Sequence, residues 1–134
     1  MIATIADSDK DESVPIIREF AALGFEVYAT GGTAKFLDEQ GIAAQPVKKL
    51  HEGDGNIVDL IKSGQIALLI NTLSTDKRIE REAVRIRRAS VEAGVPCLTS
   101  LDTAKALLLS IHTLIKGDPY ALATVDEYLK GGVH

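Results

Sequence analysis

Apolar residues in this chain fall into short dense runs separated by longer stretches where they recur every three or four positions, a pattern that predicts strands alternating with helices. "MIATIA" at the start, "FEVYA" (25–29), "QIALLIN" (65–71) and "VPCLT" (95–99) read as strands. "AAQPVKKL" (43–50) is a weaker extended segment. Pro46 has no N–H to give a ladder, which places that segment at a sheet edge or makes it irregular. Between the strands, "SVPIIREFAAL" (13–23) predicts a helix with Ser13 as its cap, Pro15 in the first turn and Gly24 just past the end. "AKFLDEQ" closes at Gly41, "NIVDLIKS" at Gly64, and "DKRIEREAVRIRRASVEA" at Gly94 and Pro96. The last helix, "LDTAKALLLSIHTLIKG", sets Leu101, Ala104, Leu108 and Ile111 on one side.

Strands and helices in strict alternation pair their strands in parallel through right-handed crossovers. The expected fold is therefore a three-layer α/β/α Rossmann-like domain with a mostly parallel sheet of about five strands. With 134 residues and no internal repeat, the chain reads as one domain over residues 1–117 and a C-terminal extension over 118–134. Asp118 and Pro119 interrupt the pattern, "YALATVDEYL" adds at most a turn or two of helix, and "KGGVH" has the composition of a frayed end.

Composition narrows the setting. Runs such as "IALLI" are too short to span a bilayer. The single cysteine, Cys97, has no internal partner and falls in a strand, where it is expected to be buried. With no leader pattern, a reducing cytoplasm is the expected compartment. A formal net charge of −4 argues against nonspecific nucleic-acid binding, which draws on Lys and Arg facing phosphates. Yet charge is uneven: five of the six arginines lie between Arg78 and Arg88, and acids crowd "DSDKDE" (7–12). Any anion site is thus local. In the arginine helix, Ile79, Ala83, Ile86 and Ser90 are expected to face the sheet, while Arg78, Arg81, Arg85 and Arg88 line another side. That side is either solvated or docks on another domain or subunit.

Open parallel sheets bind ligands at the carboxyl ends of their strands. Here those ends gather polar residues: Lys10 after the first strand, Thr30 and Thr33 after the second, Lys49 after the third, Asn71 and Thr72 after the fourth, and Thr99 after the fifth. The turn "TGGT", with Thr30, Gly31, Gly32 and Thr33, offers hydroxyls and free N–H groups at a helix start, where partial positive charge favours phosphate. Each charge-assisted bond contributes about 1.5–3 kcal/mol, enough in combination for micromolar binding. No G-x-G-x-x-G or G-x-x-x-x-G-K-[ST] occurs, so dinucleotide binding and P-loop hydrolysis are not expected. "DSDKDE" opens like a calcium loop but lacks the required glycine, and the bidentate acid position falls on Arg18. It reads as a solvated helix entry. His51, His112 and His134 lack ligand spacing, and His112 is expected to pack within an apolar helix, so no metal site is expected.

"YATGGTAKFL", "VKKLHEG", "NIVDLIKSG", "LLINT" and "VRIRRAS", in that order, resemble the methylglyoxal-synthase-like domain that closes the large subunit of carbamoyl-phosphate synthetase. The resemblance runs from about Ile2 to Ile115. It implies a regulatory domain binding UMP, or IMP or phosphoribosyl pyrophosphate (PRPP) in some members. By matching position, Lys10, Thr30, Gly31, Gly32 and Thr33 would take the phosphate, and Lys49, Asn71 and Thr72 the ribose or the pocket wall. Thr99 matches, more weakly, a position near an interdomain ornithine site. Leu73 stands where the family often has threonine. The resemblance further implies a longer polypeptide whose other domains use ATP, Mg and K, with a glutaminase small subunit as partner and no cofactor or catalytic residue in this chain. Methylglyoxal synthase itself is the alternative. Asp54 matches its catalytic aspartate, but Ser74 and Ala6 replace the second acid and the histidine. A freestanding nucleotide-binding or assembly protein is a further alternative.

Overall fold

The computed structural model describes residues 1–49 and 52–117. Its elements are β1 (Ile2–Thr4), α1 (Lys10–Ala22), β2 (Val27–Thr30), α2 (Gly31–Glu39), β3 (Ala44–Val47), α3 (Ile57–Lys62), β4 (Leu69–Asn71), α4 (Lys77–Glu92), β5 (Cys97–Leu98) and α5 (Leu101–Gly117). The strands form one sheet in the order β3-β2-β1-β4-β5, every neighbouring pair parallel. The fold is thus the three-layer α/β/α, Rossmann-like arrangement that the alternation predicts.

Successive strand residues point to opposite faces, so each strand feeds two cores. Ile2 and Leu69, side by side in register, pack with Ile57, Ile61 and Ile86 of α3 and α4. Ala3 and Ile70, the next pair along, pack on the other face with Ile17 and Phe20 of α1, Leu37 of α2, and Leu108 and Ile111 of α5. Phe20 is fully buried and meets Phe25 edge-to-face with ring centroids 5.4 Å apart. Fully burying such side chains contributes about 1.5–3 kcal/mol each, which is what holds the layers.

Strand order also places the site. The chain runs outward from β1 through β2 to β3, then crosses back to lay β4 on the other side of β1. Connections leave β1 and β4 in opposite directions, and the crevice that opens between them is the usual ligand position in such sheets.

Several local expectations change. α1 begins at Lys10, led in by a 3-10 turn over Asp7–Asp9, and not after Ser13. Asp11 and Glu12 in the first turn suit the positive end of the helix better than a later start would. Ser13 is buried inside α1, its hydroxyl donating to the Lys10 carbonyl at 2.6 Å, and Pro15 lies deeper in the helix than its first turn. α2 starts at Gly31, so the two glycines form its first turn instead of preceding it. Cys97 is half-buried, and desolvation pushes its thiol pKa up. Ile79 is 54 % exposed, and His112 is exposed with Nε2 3.7 Å from Glu19 Oε2. β3 is the edge strand its proline predicts. The extension over 118–134, with His134, and also His51 lie outside the described residues.

Candidate functional site

The carboxyl ends of β1, β2 and β4 open into a hollow of about 930 Å³, within the range of small-molecule sites. Its floor follows from the register, which sets Thr4 beside Asn71. Asn71 Nδ2 donates to Thr4 Oγ1 at 2.5 Å, and the Thr72 N–H donates to the Thr4 carbonyl at 3.1 Å. The segment leaving β1 is tied to both neighbours. Thr72 Oγ1 accepts from the Ala6 N–H at 2.7 Å, and Thr33 Oγ1 accepts from the Ile5 N–H at 3.3 Å. These bonds fix where Lys10 enters the hollow.

One wall is cationic. A Cβ added at Gly31 would lie 2.7 Å from Lys49 Cε and 3.2 Å from Lys49 Nζ, and one at Gly32 would lie 3.5 Å from Lys10 Nζ. Two ammonium groups therefore stand over adjacent glycines at the start of α2. Gly31 lies beneath Lys49 and has φ +33°, a backbone angle that glycine accepts most readily. Thr30 occupies the N-cap position of α2 without a side-chain capping hydrogen bond. Orphan amides, two ammoniums and the Thr30 hydroxyl thus share one volume, an arrangement suited to a phosphoryl group.

Two polar groups there are poised for exchange. Lys10 hydrogen-bonds Asp7, and that bond, with the lysine's charge, holds the Asp7 carboxyl below the usual carboxylate range. Asp7 is 93 % exposed, so an incoming anion competes with a solvated partner. Asn71 is 4 % exposed, and its Oδ1 is buried with no hydrogen-bond partner. Such an acceptor is stabilised when a ligand supplies an N–H or O–H.

Facing this wall are α4 and the loop before it. Its lining mixes apolar Leu73, Ile79, Ala83 and Ile86 with polar and charged residues, among them Ser74, Thr75, Asp76, Arg78 and Glu82. Thr4 and Ser8 line the hollow without having stood out in the sequence, and Ser74 and Arg78, noted there for other reasons, line it too. Thr4 follows from the strand order, since only the β1–β4 pairing sets it beside Asn71.

Lys10, Thr30, Gly32, Thr33, Lys49, Asn71 and Thr72 are all walls of this one hollow. Thr99 is not: it is exposed beyond β5, which β4 separates from the crevice. Asp54 also stands apart, exposed in the turn before α3, its carbonyl accepting from Lys48 Nζ at 3.4 Å. A second groove, of about 520 Å³, runs beside Arg18, Phe25 and Gln45, but Arg18 is engaged there by the Gln40 carbonyl at 2.8 Å. Among the described residues no group of three or more His, Cys, Asp or Glu is placed to hold a metal, and no helix is long and apolar enough to cross a membrane.

A parallel sheet with its crevice between the first and fourth strands and a glycine-started helix at its rim agrees with the outcome of a family comparison. The family model for the MGS-like domain matches residues 12–99, well over half of the chain, and the protein belongs to that family.

Proposed function

We propose that the chain is the allosteric domain of a carbamoyl-phosphate synthetase large subunit, and that its hollow takes a phosphorylated nucleotide effector: UMP, or IMP or PRPP. The observation that carries this reading is the placing of the Lys10 and Lys49 ammoniums over Gly31 and Gly32, at the uncapped start of α2. Lys10, Thr30, Gly32 and Thr33 receive the phosphate, with Gly31 giving Lys49 room. Asn71 and Thr72, with Lys49, meet the ribose, and the buried Asn71 Oδ1 accepts a hydrogen bond from one of its hydroxyls. Thr99, away from the hollow, is left for contact with the rest of the subunit.

In this reading the chain acts in the cytoplasm as part of a larger ligase. ATP, Mg and K serve the other domains, ammonia comes from the glutaminase subunit, and carbamoyl phosphate goes on to pyrimidines and arginine. Effector binding shifts the ligase between two states with a coupling of about 1–3 kcal/mol. Lyase activity as a methylglyoxal synthase draws less support, because Asp54 is exposed and away from the walls of the hollow, while Ala6 and Ser74 bring no acid or imidazole to it.

Calorimetric titration of the protein with UMP, IMP and PRPP is the direct test. Saturable heat with at least one is expected, lost in Lys10→Ala. Absence of heat with all three, in a folded sample, refutes the reading. Methylglyoxal released from dihydroxyacetone phosphate, and abolished in Asp54→Asn, would replace it with the enzyme.

A further inference from the structure

Among the described residues three carboxylates line the hollow, and their positions differ. Asp76 and Glu82 belong to the far wall, where Asp76 caps α4 and Glu82 lies within that helix. Asp7 belongs to the cationic side and hydrogen-bonds the Lys10 ammonium. The two partners are unequally held: the Lys10 side chain is 19 % exposed, the Asp7 side chain 93 %.

Around Asp7 the backbone is fixed. Before it, the Ile5 N–H donates to Thr33 Oγ1 at 3.3 Å and the Ala6 N–H to Thr72 Oγ1 at 2.7 Å. After it, the Asp9 N–H closes on the Ala6 carbonyl at 2.9 Å, and the Lys10 N–H donates to the Asp7 carbonyl. The carboxylate itself meets Lys10 and otherwise faces water, so a rotation about its own side-chain bonds releases it without disturbing that backbone. Lys10 Nζ, by contrast, stands over Gly32 at the start of α2, where its contact with an anion is wanted. Because the lysine holds the Asp7 carboxyl below the usual carboxylate range, Asp7 is ionised wherever a phosphomonoester is a dianion.

We propose that Asp7 is an internal competitor for the phosphoryl group: its carboxylate occupies Lys10 until a phosphomonoester displaces it. The inference rests on the phosphate reading above and adds a residue that sets how tightly the hollow holds its ligand. Two anions on one ammonium repel each other, and the exposed one turns away into water. Each binding event therefore gives back the Lys10–Asp7 interaction and leaves a negative carboxylate at the rim. Affinity is lower than two lysines and an uncapped helix start would otherwise provide, which suits a site that has to release its ligand as concentration falls. A carboxylate that instead served to hold Lys10 in its binding pose would act with the opposite sign, since its loss would weaken binding.

The test uses ribose 5-phosphate, which has the phosphate and sugar but no ring, and UMP, each titrated by calorimetry. Asp7→Asn keeps the shape of the side chain and removes its charge. It should bind both compounds about fivefold tighter than wild type, by the same factor, because Asp7 meets only the phosphoryl end. Asp11→Asn removes an equal charge from the first turn of α1, outside the lining of the hollow, and should change either affinity less than twofold. Circular dichroism checks that both variants keep their fold. Unchanged or weaker binding by Asp7→Asn overturns the competitor and leaves the phosphate site standing, as does an equal gain in Asp11→Asn, which reduces the effect to net charge. Failure of both compounds to bind wild type and Asp7→Asn alike removes the phosphate site and the competitor together.

Discussion

α2 and α4 begin on facing walls of the same hollow, and they begin differently. α4 is capped from within: Asp76 Oδ1 accepts from the Arg78 N–H at 2.9 Å and the Ile79 N–H at 3.5 Å. α2 starts on two glycines, with Thr30 at its N-cap position making no side-chain bond, and lysines from two other segments lean over it. Capped and uncapped starts differ by about 1 kcal/mol, so α2 gives up stability that its neighbour keeps. A helix start left open beside cations is a place for an anion, whereas a closed start is a wall. If the hollow takes the proposed phosphate, the uncapped start of α2 is the side that receives it.

The contrast can be broken by giving α2 the cap it lacks. Thr30→Asp supplies an internal carboxylate to the first-turn amides and should weaken phosphomonoester binding by about a hundredfold or more, while raising stability by a few tenths of a kcal/mol in thermal unfolding. Affinity retained in that variant would mean the phosphate lies elsewhere. Thr33→Ala should weaken binding by about 1–3 kcal/mol in the same titration. Because Thr33 Oγ1 also accepts from the buried Ile5 N–H, this variant should lose about 1 kcal/mol in urea unfolding as well. On the opposite wall, Asp76→Ala should cost about 1 kcal/mol of stability and leave ribose 5-phosphate affinity unchanged, the reverse of the Thr30→Asp pattern.

The smallest effect concerns Glu80, whose carboxyl pKa is lowered first by the Ser74 N–H and then by Arg87. A carboxylate depressed in the folded state contributes stability that is present above the ordinary glutamate range and lost as pH falls through its folded value. Glu80→Gln should therefore be less stable than wild type by about 0.5 kcal/mol at pH 7, with the difference closing toward pH 3 in urea titrations. An undiminished gap at low pH would show that the bond, and not its charge, anchors the loop that carries Leu73.

How far the sequence alone reaches depends on whether a feature is local. Periodicity and stop signals locate α4 and α5 well, because Asp76, Gly94 and the Leu101–Ile111 stripe act within a turn or two of themselves. The start of α1 was harder to place, since Ser13 and the acids before it both favour a helix start and only packing decides between them. Ile79 follows the buried period of α4, yet β4 ends at Asn71 and the first turn of the helix overhangs the hollow with no sheet beneath it. The apolar composition of α5 points to a packed His112, but the side chain is exposed. It sits one position beyond buried Ile111, about 100° round the helix, and so points outward. Lys10, Thr30, Thr33, Lys49, Asn71 and Thr72 come to one hollow because strand ends in a parallel sheet share an edge, whereas Thr4, on β1 itself, is placed only by the β1–β4 pairing. Thr99 was not excluded by that rule, because strand order, which puts β5 outermost, is a property of the whole fold.

Pro46 has a further consequence. Among the described residues β3 forms one margin of the sheet, where an unpaired strand would ordinarily invite the backbone of a neighbouring molecule. A proline tolerated on such a strand turns its missing donor outward, so an arriving segment meets a gap in the row of N–H groups. The ring thus guards the molecule against edge-to-edge polymerisation, and replacing it with valine would trade that safeguard for a continuous, more adhesive border.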